Sequence, residues 1–231
     1  MTDLRYPDMR RRPGTMDGYV IAEVRTYEKL GIRPGDRVLD VGANIGAFTR
    51  MAAEAGASLV VAVEPEPDNI AEFEFNAQFI PTGTHVELVA AAAVTGGPDL
   101  VTLYLTRGPN KGAHSLARKN ASNGGKKGPI PPRLSIEVPT VEWTDLLAEG
   151  FDVIKVDIEG GEYGLDWTRI PNGVRALAVE LHLSHQAWWK KDGARVVAEV
   201  EAQGFIQVPP TAQFILWRRA LVATFVRPGG L

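Results

Sequence analysis

One strand–turn–helix–strand stretch constrains the fold more than any other part of the chain. It comprises residues 38–49, VLDVGANIGAFT, and residues 60–64, VVAVE. The first segment predicts a buried strand, a tight glycine turn and the start of a helix; the second predicts a parallel strand that ends in an acid. Gly42 and Gly46 would let the backbone approach a ligand where a Cβ would clash. Such a unit is typical of a nucleotide-binding half-site, with the N–H groups of the helix N-terminus facing the ligand.

The residues of this half-site favour S-adenosylmethionine over a dinucleotide. A Gly-x-Gly-x-x-Gly fingerprint would need glycines where the chain has Gly42, Asn44 and Ala47, so two of the three are missing. Asp40 at the strand end would repel a pyrophosphate, but it suits the ammonium group of S-adenosylmethionine. Glu64, 22 positions after Gly42, would accept hydrogen bonds from both ribose hydroxyls. A βαβ unit that binds no ligand is the alternative interpretation.

Three motifs resemble those of the FkbM-type family of S-adenosylmethionine-dependent methyltransferases. They are VLDVGANIGAFT at residues 38–49, VAVEPEPDNIAEFEFNA at residues 61–77 and DVIKVDIEGGEYGL at residues 152–165, within a likeness that runs from about residue 14 to residue 182. The third motif is the most specific, because a Val-Leu-Asp-Val-Gly strand occurs across many methyltransferase families. The chain departs from the family pattern at Glu142-Trp143, where the family usually has Leu-Asp.

The resemblance implies a methyltransferase with a small-molecule acceptor. We expect O-methylation of a sugar, aminocyclitol or polyketide hydroxyl by direct displacement, with N-methylation of a small amino sugar or methylation of RNA as alternatives. The acidic segment DIEG at residues 157–160 would repel a phosphate backbone, so a nucleic acid is the less favoured partner. The same acidic segment disfavours a cofactor-binding protein that has lost its chemistry.

The composition excludes several classes of chemistry and indicates an expected location for the protein. The chain has no cysteine, which removes disulfides, thiolate catalysis, cysteine-held zinc and the cluster of radical S-adenosylmethionine enzymes. At 231 residues and 45% hydrophobic content, residues 1–231 are predicted to form a single domain. The net charge of −3 gives no overall attraction to nucleic acid or membrane. Since no apolar run approaches the ~20 residues of a membrane span, we expect a cytoplasmic protein without membrane contact; a homodimer stays open.

Alternating apolar strands and amphipathic helices predict an α/β fold. We expect a doubly wound, mostly parallel, seven-stranded Rossmann-like methyltransferase sheet with helices on both faces and a terminal antiparallel hairpin. The predicted strands cover residues 37–41, 59–63, 86–94, 101–105, 135–141, 152–157, 174–181 and 221–226, and the hairpin pairs residues 205–208 with 213–217.

The N-terminal arm and helix, residues 1–36, are predicted to lie beside the first strand. Asp17 is the expected N-cap of a helix that runs to Gly31, and the arginines of residues 10–12 are expected to be solvated. Residues 14–17 are similar to a segment ahead of the core in the FkbM-type family. Asp17 is therefore also expected to close over the cofactor.

Two further residues are expected in the cofactor site. Pro65 follows Glu64 directly, and Ala91 stands in an alanine-rich strand end. Small side chains near Ala91 would leave room for the flat adenine ring. The alternative is that they only pack under a helix.

Residues 106–133 form a basic Gly/Pro-rich insert. There is no acid from Leu100 to Ile136, and a loop of this length in a compact domain is usually functional or disordered. It is predicted to be a lid that favours an anionic or phosphorylated acceptor, or else a solvated loop. Its seven basic residues are Arg107, Lys111, Arg118, Lys119, Lys126, Lys127 and Arg133.

The catalytic candidates follow two later strands of the predicted sheet. Asp157 and Glu159 come directly after one strand, and Glu180 and His182 end the next. Because ligands bind at the carboxyl ends of such strands, these side chains are expected beside the reactive end of the cofactor. The simpler interpretation is that Asp157 caps a helix, with Glu159 and Glu162 exposed.

An alcohol acceptor must lose its proton as the new bond forms. His182 is predicted as the base or as a residue that orients it, with Asp157 or Glu159 as the competing base. Alternatively, Asp157, Glu159, Glu180 and His182 would gather around Mg²⁺, which lowers the pKa of a hydroxyl. A histidine at a strand end is often simply hydrogen-bonded, and that interpretation stays open.

Overall fold

The computed structural model describes residues 6–106, 108–111, 113–116, 135–182, 189–209, 213–215 and 220–229. Its strands are β1 (Arg37–Val41), β2 (Leu59–Val63), β3 (His85–Val89), β4 (Ala92–Val94), β5 (Leu100–Tyr104), β6 (Ser135–Glu142), β7 (Val153–Val156), β8 (Ala176–His182), β9 (Ile206–Gln207), β10 (Gln213–Ile215) and β11 (Ala220–Val226). Its helices are α1 (Asp17–Glu23), α2 (Ala47–Glu54), α3 (Pro67–Ala77), α4 (Trp143–Ala148) and α5 (Trp189–Ala202). Short 3₁₀ segments cover Val24–Leu30, Gly161–Gly164 and Trp167–Arg169.

A mostly parallel sheet forms the centre of the fold, in the order β10-β11-β8-β7-β1-β2-β3. Strands β8, β7, β1, β2 and β3 run parallel, whereas β11 is antiparallel to both β8 and β10. This confirms the predicted α/β architecture, and β9, which also pairs with β11, adds an eighth strand to the predicted seven. The strand order reverses between β1 and β7, which is where open α/β sheets bind ligands.

Helices cover both faces of the central sheet, as predicted. Leu39 and Val41 of β1 pack in one core with Trp143 of α4, whereas Val38 packs in a second core with Phe48 of α2. Burial on both faces explains the near-continuous apolar runs of the central strands. Within the described residues, no helix is long and apolar enough to cross a membrane.

A small second sheet, β4-β6-β5, interrupts the repeating pattern of strands and helices. β6 runs antiparallel to β5 and parallel to β4. The single strand predicted over residues 86–94 was wrong, since β3 joins the central sheet and β4 joins β6. Both halves are apolar and extended, so local pattern did not indicate that they separate.

The C-terminal strands pair differently from the predicted hairpin. β9 and β10 each pair with β11, with Gln207 opposite Phe225 and Gln213 opposite Val222. β11 is seven residues long, so one of its edges accommodates both short strands while β8 pairs with the other. The expected terminal antiparallel hairpin is therefore present as β10 and β11, whereas the predicted pairing of residues 205–208 with 213–217 was wrong.

The N-terminal segment is more firmly attached than predicted. α1 begins at Asp17 itself, with Met16 at the N-cap position and no side-chain cap bond. Arg12 donates from its backbone N and from Nη2 to the Asp17 carboxylate, at 2.9 Å in each case. Arg10 Nε donates to Glu72 Oε2 of α3 at 2.6 Å. These two arginines therefore anchor the arm, and the helix predicted up to Gly31 continues as the 3₁₀ segment Val24–Leu30.

Candidate active site

Two adjoining clefts open at the carboxyl ends of β1, β2 and β7. The larger extends from Glu64 past Ala91, and the smaller lies between α1 and the end of β7. Gly42, Asn44 and Asp157 line both clefts. The two clefts therefore form one trough across the turn after β1, at the point where the strand order reverses.

Glu64 occupies the position expected of it, at the end of β2 and on the wall of the larger cleft. Its Oε2 accepts the Asn44 N–H at 2.9 Å, and its Oε1 accepts the Glu66 N–H at 3.0 Å and Asn69 Nδ2 at 3.2 Å. Burial raises the pKa of Glu64 to about 7, although these three donors oppose the shift. The carboxyl group is thus held by neutral donors, and its contact with a ribose stays a prediction.

The two glycines of the turn are required by contacts within the protein. A Cβ on Gly42, at φ 81°, would lie 1.8 Å from the Asp157 carbonyl oxygen. A Cβ on Gly46, at φ 87°, would lie 3.0 Å from the Phe73 ring. Close packing of the turn against β7 and α3 therefore accounts for both glycines, and their approach to a ligand stays a prediction. Asn44, at φ 51°, completes this left-handed turn.

Asp40 contacts a lysine rather than the trough. It is fully buried; its Oδ1 lies 3.1 Å from Lys155 Nζ and its Oδ2 accepts Thr49 Oγ1 at 2.7 Å. Of the described residues, Lys155 lines the smaller cleft and Asp40 lines neither. The structure therefore does not support the predicted contact between Asp40 and the cofactor ammonium. A charged residue inside the apolar strand β7 was the sequence signal for this ion pair.

Lys155 remains charged in its buried position. Its Nζ also donates to the Gly42 carbonyl at 2.7 Å. Burial lowers the pKa of an ammonium group, but the negative charges of Asp40 and Asp157 outweigh burial and raise the pKa of Lys155. Lys155 thereby ties β7 to the turn after β1 and presents a cation at the wall of the smaller cleft.

The remaining predicted cofactor residues divide into two groups. Pro65 and Ala91 line the larger cleft, and their contact with a cofactor stays a prediction. Asp17 is not among the described residues that line the trough. Its carboxylate accepts three hydrogen bonds from Arg12, at 2.9 to 3.0 Å, so it anchors the arm, and its contact with a cofactor stays a prediction.

Four carboxylates surround His182 at the end of β8. Its Nε2 lies 3.2 Å from Glu159 Oε2, 3.6 Å from Glu180 Oε1 and 3.7 Å from Asp157 Oδ1. On the other side of the ring, Nδ1 lies 3.3 Å from Glu162 Oε1. The structure thus brings together the residues predicted for catalysis and for metal binding; these five residues are the acidic edge.

His182 is held in its cationic form. Burial lowers the pKa of an imidazole, but the negative charges of Glu159 and Glu162 outweigh burial and raise the pKa of His182 well above 6.5. A protonated imidazole cannot accept a further proton. This environment therefore favours His182 as an orienting group and leaves Asp157 and Glu159, which line the larger cleft, as candidate bases.

Hydrogen bonds of Glu162 and Tyr27 hold the acidic edge in place. Glu162 is fully buried rather than exposed; its Oε2 accepts the Gly160 N–H at 2.7 Å and its Oε1 accepts the His182 N–H at 2.8 Å. Tyr27 Oη donates to Glu180 Oε2 at 3.1 Å. Glu159 has a left-handed backbone, at φ 51°, which is uncommon for glutamate and recurs at functional sites.

Asp157, Glu180 and His182 form a candidate metal centre. One ligand atom of each lies within 4.8 Å of the ligand atoms of the other two. Carboxylate oxygens suit Mg²⁺, and imidazole suits first-row transition metals, so the donor set fits a divalent cation. Glu159, 3.2 Å from His182 Nε2, competes with a metal for that nitrogen.

The described part of the basic insert, residues 106, 108–111 and 113–116, lies against the trough. The Met16 N–H donates to the Pro109 carbonyl at 2.9 Å, and Ser115 Oγ donates to the Glu159 carbonyl at 2.7 Å. His114, which the sequence pattern did not distinguish, lines the larger cleft. Most basic residues of the insert lie outside the described residues: Arg107, Arg118, Lys119, Lys126, Lys127 and Arg133.

Comparison with known proteins agrees with this architecture. The family described as methyltransferase FkbM domain matches residues 40–206. A 31-O-demethyl-FK506 methyltransferase FkbM from Streptomyces tacrolimicus is 31% identical over 216 residues, which cover 80% of this chain and 78% of that protein.

Solved structures of low sequence identity resemble the chain in fold. A ribosomal protein L11 methylase from Lactobacillus delbrueckii subsp. bulgaricus has a TM-score of 0.50 at 12% identity, covering 91% of this chain and 79% of that one. At this identity the likeness concerns the fold alone.

Proposed function

The chain belongs to the methyltransferase FkbM domain family and is a methyltransferase, and from this premise we propose that it transfers the methyl group of S-adenosylmethionine to a hydroxyl group of a small molecule. The observation that carries the proposal is the trough across Gly42. It joins a buried carboxyl group, Glu64, to the acidic edge, so a nucleoside and a reacting centre have separate places along one continuous surface.

The cofactor is proposed to lie with its adenosine in the larger cleft and its methionine portion in the smaller one. Glu64 would accept the ribose hydroxyls, with the adenine between Pro65 and Ala91. Asn44 Oδ1 is buried at the junction, and the described residues leave it without a hydrogen-bond partner, so it offers an acceptor there. The cationic Lys155 suits the carboxylate of the methionine portion.

The proposed reaction is a direct displacement, in which the chain aligns the acceptor oxygen with the methyl group. When bound, S-adenosylmethionine supplies a methyl group on a sulfonium; the acceptor oxygen bonds to that carbon while the carbon–sulfur bond breaks and its electron pair stays on sulfur. Positioning of this kind contributes about 7–11 kcal/mol. Asp157, which lines both clefts, would take the hydroxyl proton, with Glu159 as the alternative base. Such a base adds about 10²–10⁴-fold to the rate.

His182 is proposed to position the base. It keeps its proton and offsets the charges of Glu159 and Glu162, which holds the acidic edge together around Asp157. If the site uses a divalent cation such as Mg²⁺, Asp157, Glu180 and His182 would hold it, and His182 would then have to give up its proton to bind as a neutral imidazole. The ion would then lower the pKa of the acceptor hydroxyl.

Oxygen is proposed as the acceptor atom for two reasons. The name of the Streptomyces tacrolimicus relative refers to a 31-O-demethyl compound, which supports methylation of an oxygen. The acidic edge supplies carboxylates able to take a hydroxyl proton, and the same charges disfavour a phosphate backbone such as that of RNA. A sugar, aminocyclitol or polyketide hydroxyl is therefore the proposed acceptor class.

Isothermal titration with S-adenosylmethionine and S-adenosylhomocysteine tests the cofactor. We expect micromolar binding to the wild type and loss of at least about tenfold in Glu64→Ala, because one buried hydrogen-bonding partner is removed. Glu87→Ala is the matched control, since Glu87 is an exposed carboxylate on β3. Titration with and without Mg²⁺ tests the cation.

An acceptor screen follows from binding. Sugars, aminocyclitols and polyketides are incubated with the cofactor, and NMR of the product distinguishes an O-methyl from an N-methyl group. If the wild type binds neither S-adenosylmethionine nor S-adenosylhomocysteine, the proposal is refuted. Binding with product only on nitrogen would correct the acceptor atom and leave the cofactor standing.

A further inference from the structure

The basic insert supplies one wall of the larger cleft. Ser115 pairs with Tyr104 through two backbone hydrogen bonds, at 2.9 and 3.1 Å, and its Oγ donates to the Glu159 carbonyl. Ser115 is 1% exposed, so this attachment is buried. The neighbours of Ser115 on both sides, His114 and Leu116, line the cleft. Residues 113–116 are therefore a fixed part of the pocket in which the adenosine is proposed to bind.

The hydrogen bond at His114 determines its tautomer. The backbone N–H of Thr106 donates to His114 Nδ1 at 3.0 Å. Because a backbone N–H can only donate, Nδ1 must carry the lone pair, and the ring hydrogen is assigned to Nε2. Burial, with the positive charges of Lys111 and Arg12, lowers the pKa of His114 to about 4. At neutral pH the ring is an uncharged donor.

A second polar group of the same cleft points independently to a ligand. Asn69 is 2% exposed, and its Nδ2 donates to Glu64 Oε1 at 3.2 Å and to the Lys111 carbonyl at 3.4 Å. These two acceptors fix the amide orientation. They leave Asn69 Oδ1 buried and, among the described residues, without a hydrogen-bond partner. A buried acceptor without a hydrogen-bond partner is unfavourable, and a donor on a ligand would remove that cost.

A nucleoside matches this pattern of polar and apolar groups. Its base is a flat ring with acceptor nitrogens, and its ribose carries hydroxyl donors. Ala91, Leu103 and Leu116 supply apolar walls for the ring. Asn69 is bonded to Glu64, the residue proposed to bind the ribose, so the unpaired acceptor lies at the sugar end.

We propose that His114 determines the base specificity of the cofactor site, its Nε2–H donating to a ring nitrogen of adenine while Asn69 Oδ1 accepts a hydroxyl of the attached ribose. This inference rests on the proposed function, since it assumes that adenosine occupies the larger cleft. It gives the insert a role in holding the cofactor. His114 is a binding residue here and takes no part in methyl transfer.

The test is titration of S-adenosylhomocysteine and its 1-deaza, 3-deaza and 7-deaza analogues into three variants and the wild type. His114→Ala should weaken binding of S-adenosylhomocysteine by about 5- to 10-fold, the size of one neutral hydrogen bond. His114→Gln, whose amide both accepts and donates, should recover most of this loss. His85→Ala is the matched control, because His85 is exposed on β3.

The analogues identify the nitrogen and separate the two proposals. One deaza analogue should bind the wild type about 5- to 10-fold more weakly than S-adenosylhomocysteine does, and that difference should vanish in His114→Ala. If the wild type binds all four ligands equally, or if His114→Ala keeps the same discrimination, the role of His114 is refuted and the cofactor assignment stands. If the wild type binds no S-adenosylhomocysteine, the proposed function itself fails. The comparison of the four ligands on the wild type does not depend on a variant folding, and His114→Gln tests the same contact if His114→Ala does not fold.

Discussion

The two ends of the trough both carry buried carboxyl groups, but their surroundings are opposite. Glu64 receives neutral N–H donors from Asn44, Glu66 and Asn69, and burial raises its pKa to about 7. At the other end, the carboxylates of the acidic edge face the cation of His182, and Lys155 lies between Asp40 and the turn after β1.

This difference separates binding from chemistry. A buried carboxyl group that has only neutral donors gains from each further donor, so a ligand with hydroxyl groups stabilises its ionised form. Carboxylates that face fixed cations already have their charge offset before a ligand arrives. Glu64 is therefore suited to bind the hydroxyl groups of a nucleoside. The carboxylates of the acidic edge, whose charges are already offset, are suited to proton transfer.

Removal of the cation of Lys155 should have the largest effect on stability. Lys155→Met leaves Asp40 fully buried with Thr49 as its remaining side-chain partner. Loss of one partner of a buried ion pair typically costs about 3–5 kcal/mol. We expect a decrease of this size in the free energy of unfolding, measured by urea denaturation.

The double variant Asp40→Asn/Lys155→Met provides the control. It removes both charges, so much of the lost stability should return. If the wild type and Lys155→Met have equal free energies of unfolding, this ion pair does not stabilise the turn after β1.

Replacement of the proposed base should separate catalysis from cofactor binding. Asp157→Asn should lower kcat by about 10²–10⁴-fold, roughly 3–5 kcal/mol, because the amide cannot take the hydroxyl proton. Glu159→Gln should lower kcat less, since Glu159 Oε2 is 3.2 Å from the protonated His182. Steady-state kinetics with the acceptor from the screen measures both. A larger loss in Glu159→Gln would transfer the role of base to Glu159.

Strands β1, β2 and β7 and part of the larger cleft were predictable from sequence because their signals are local. β1, β2 and β7 are short apolar runs bounded by glycine, proline or acidic residues, and each ends within a few residues of its predicted position. Glu64 and Pro65, which line the larger cleft, follow directly after β2. Parallel pairing then brings neighbouring strand ends to one edge of the sheet without further information.

The contacts that were missed join residues far apart in the chain. Asp40 and Lys155 are separated by 115 positions, and their pairing depends on β1 lying next to β7. His114 reaches the cleft because residues 113–116 pair with the end of β5, which no local periodicity indicates. Likewise, β9 and β10 were predicted to pair with each other, because their actual partner β11 is longer and comes later in the sequence.

The pH dependence of stability should distinguish Glu64 from an ordinary surface acid. Its pKa is about 7 in the folded chain, against an ordinary value of 4.5, so between these values the folded form keeps a proton that the unfolded form has released. Stability therefore falls as pH rises through this window, by roughly 3 kcal/mol for a shift of this size. Glu64→Gln lacks the titrating group and should not show this loss. Urea denaturation at pH 5 and pH 8 measures it, with Glu87→Gln as the exposed control. Parallel wild-type and Glu64→Gln profiles would show that the three N–H donors outweigh burial, and the contrast between the two ends of the trough would then rest on the acidic edge alone.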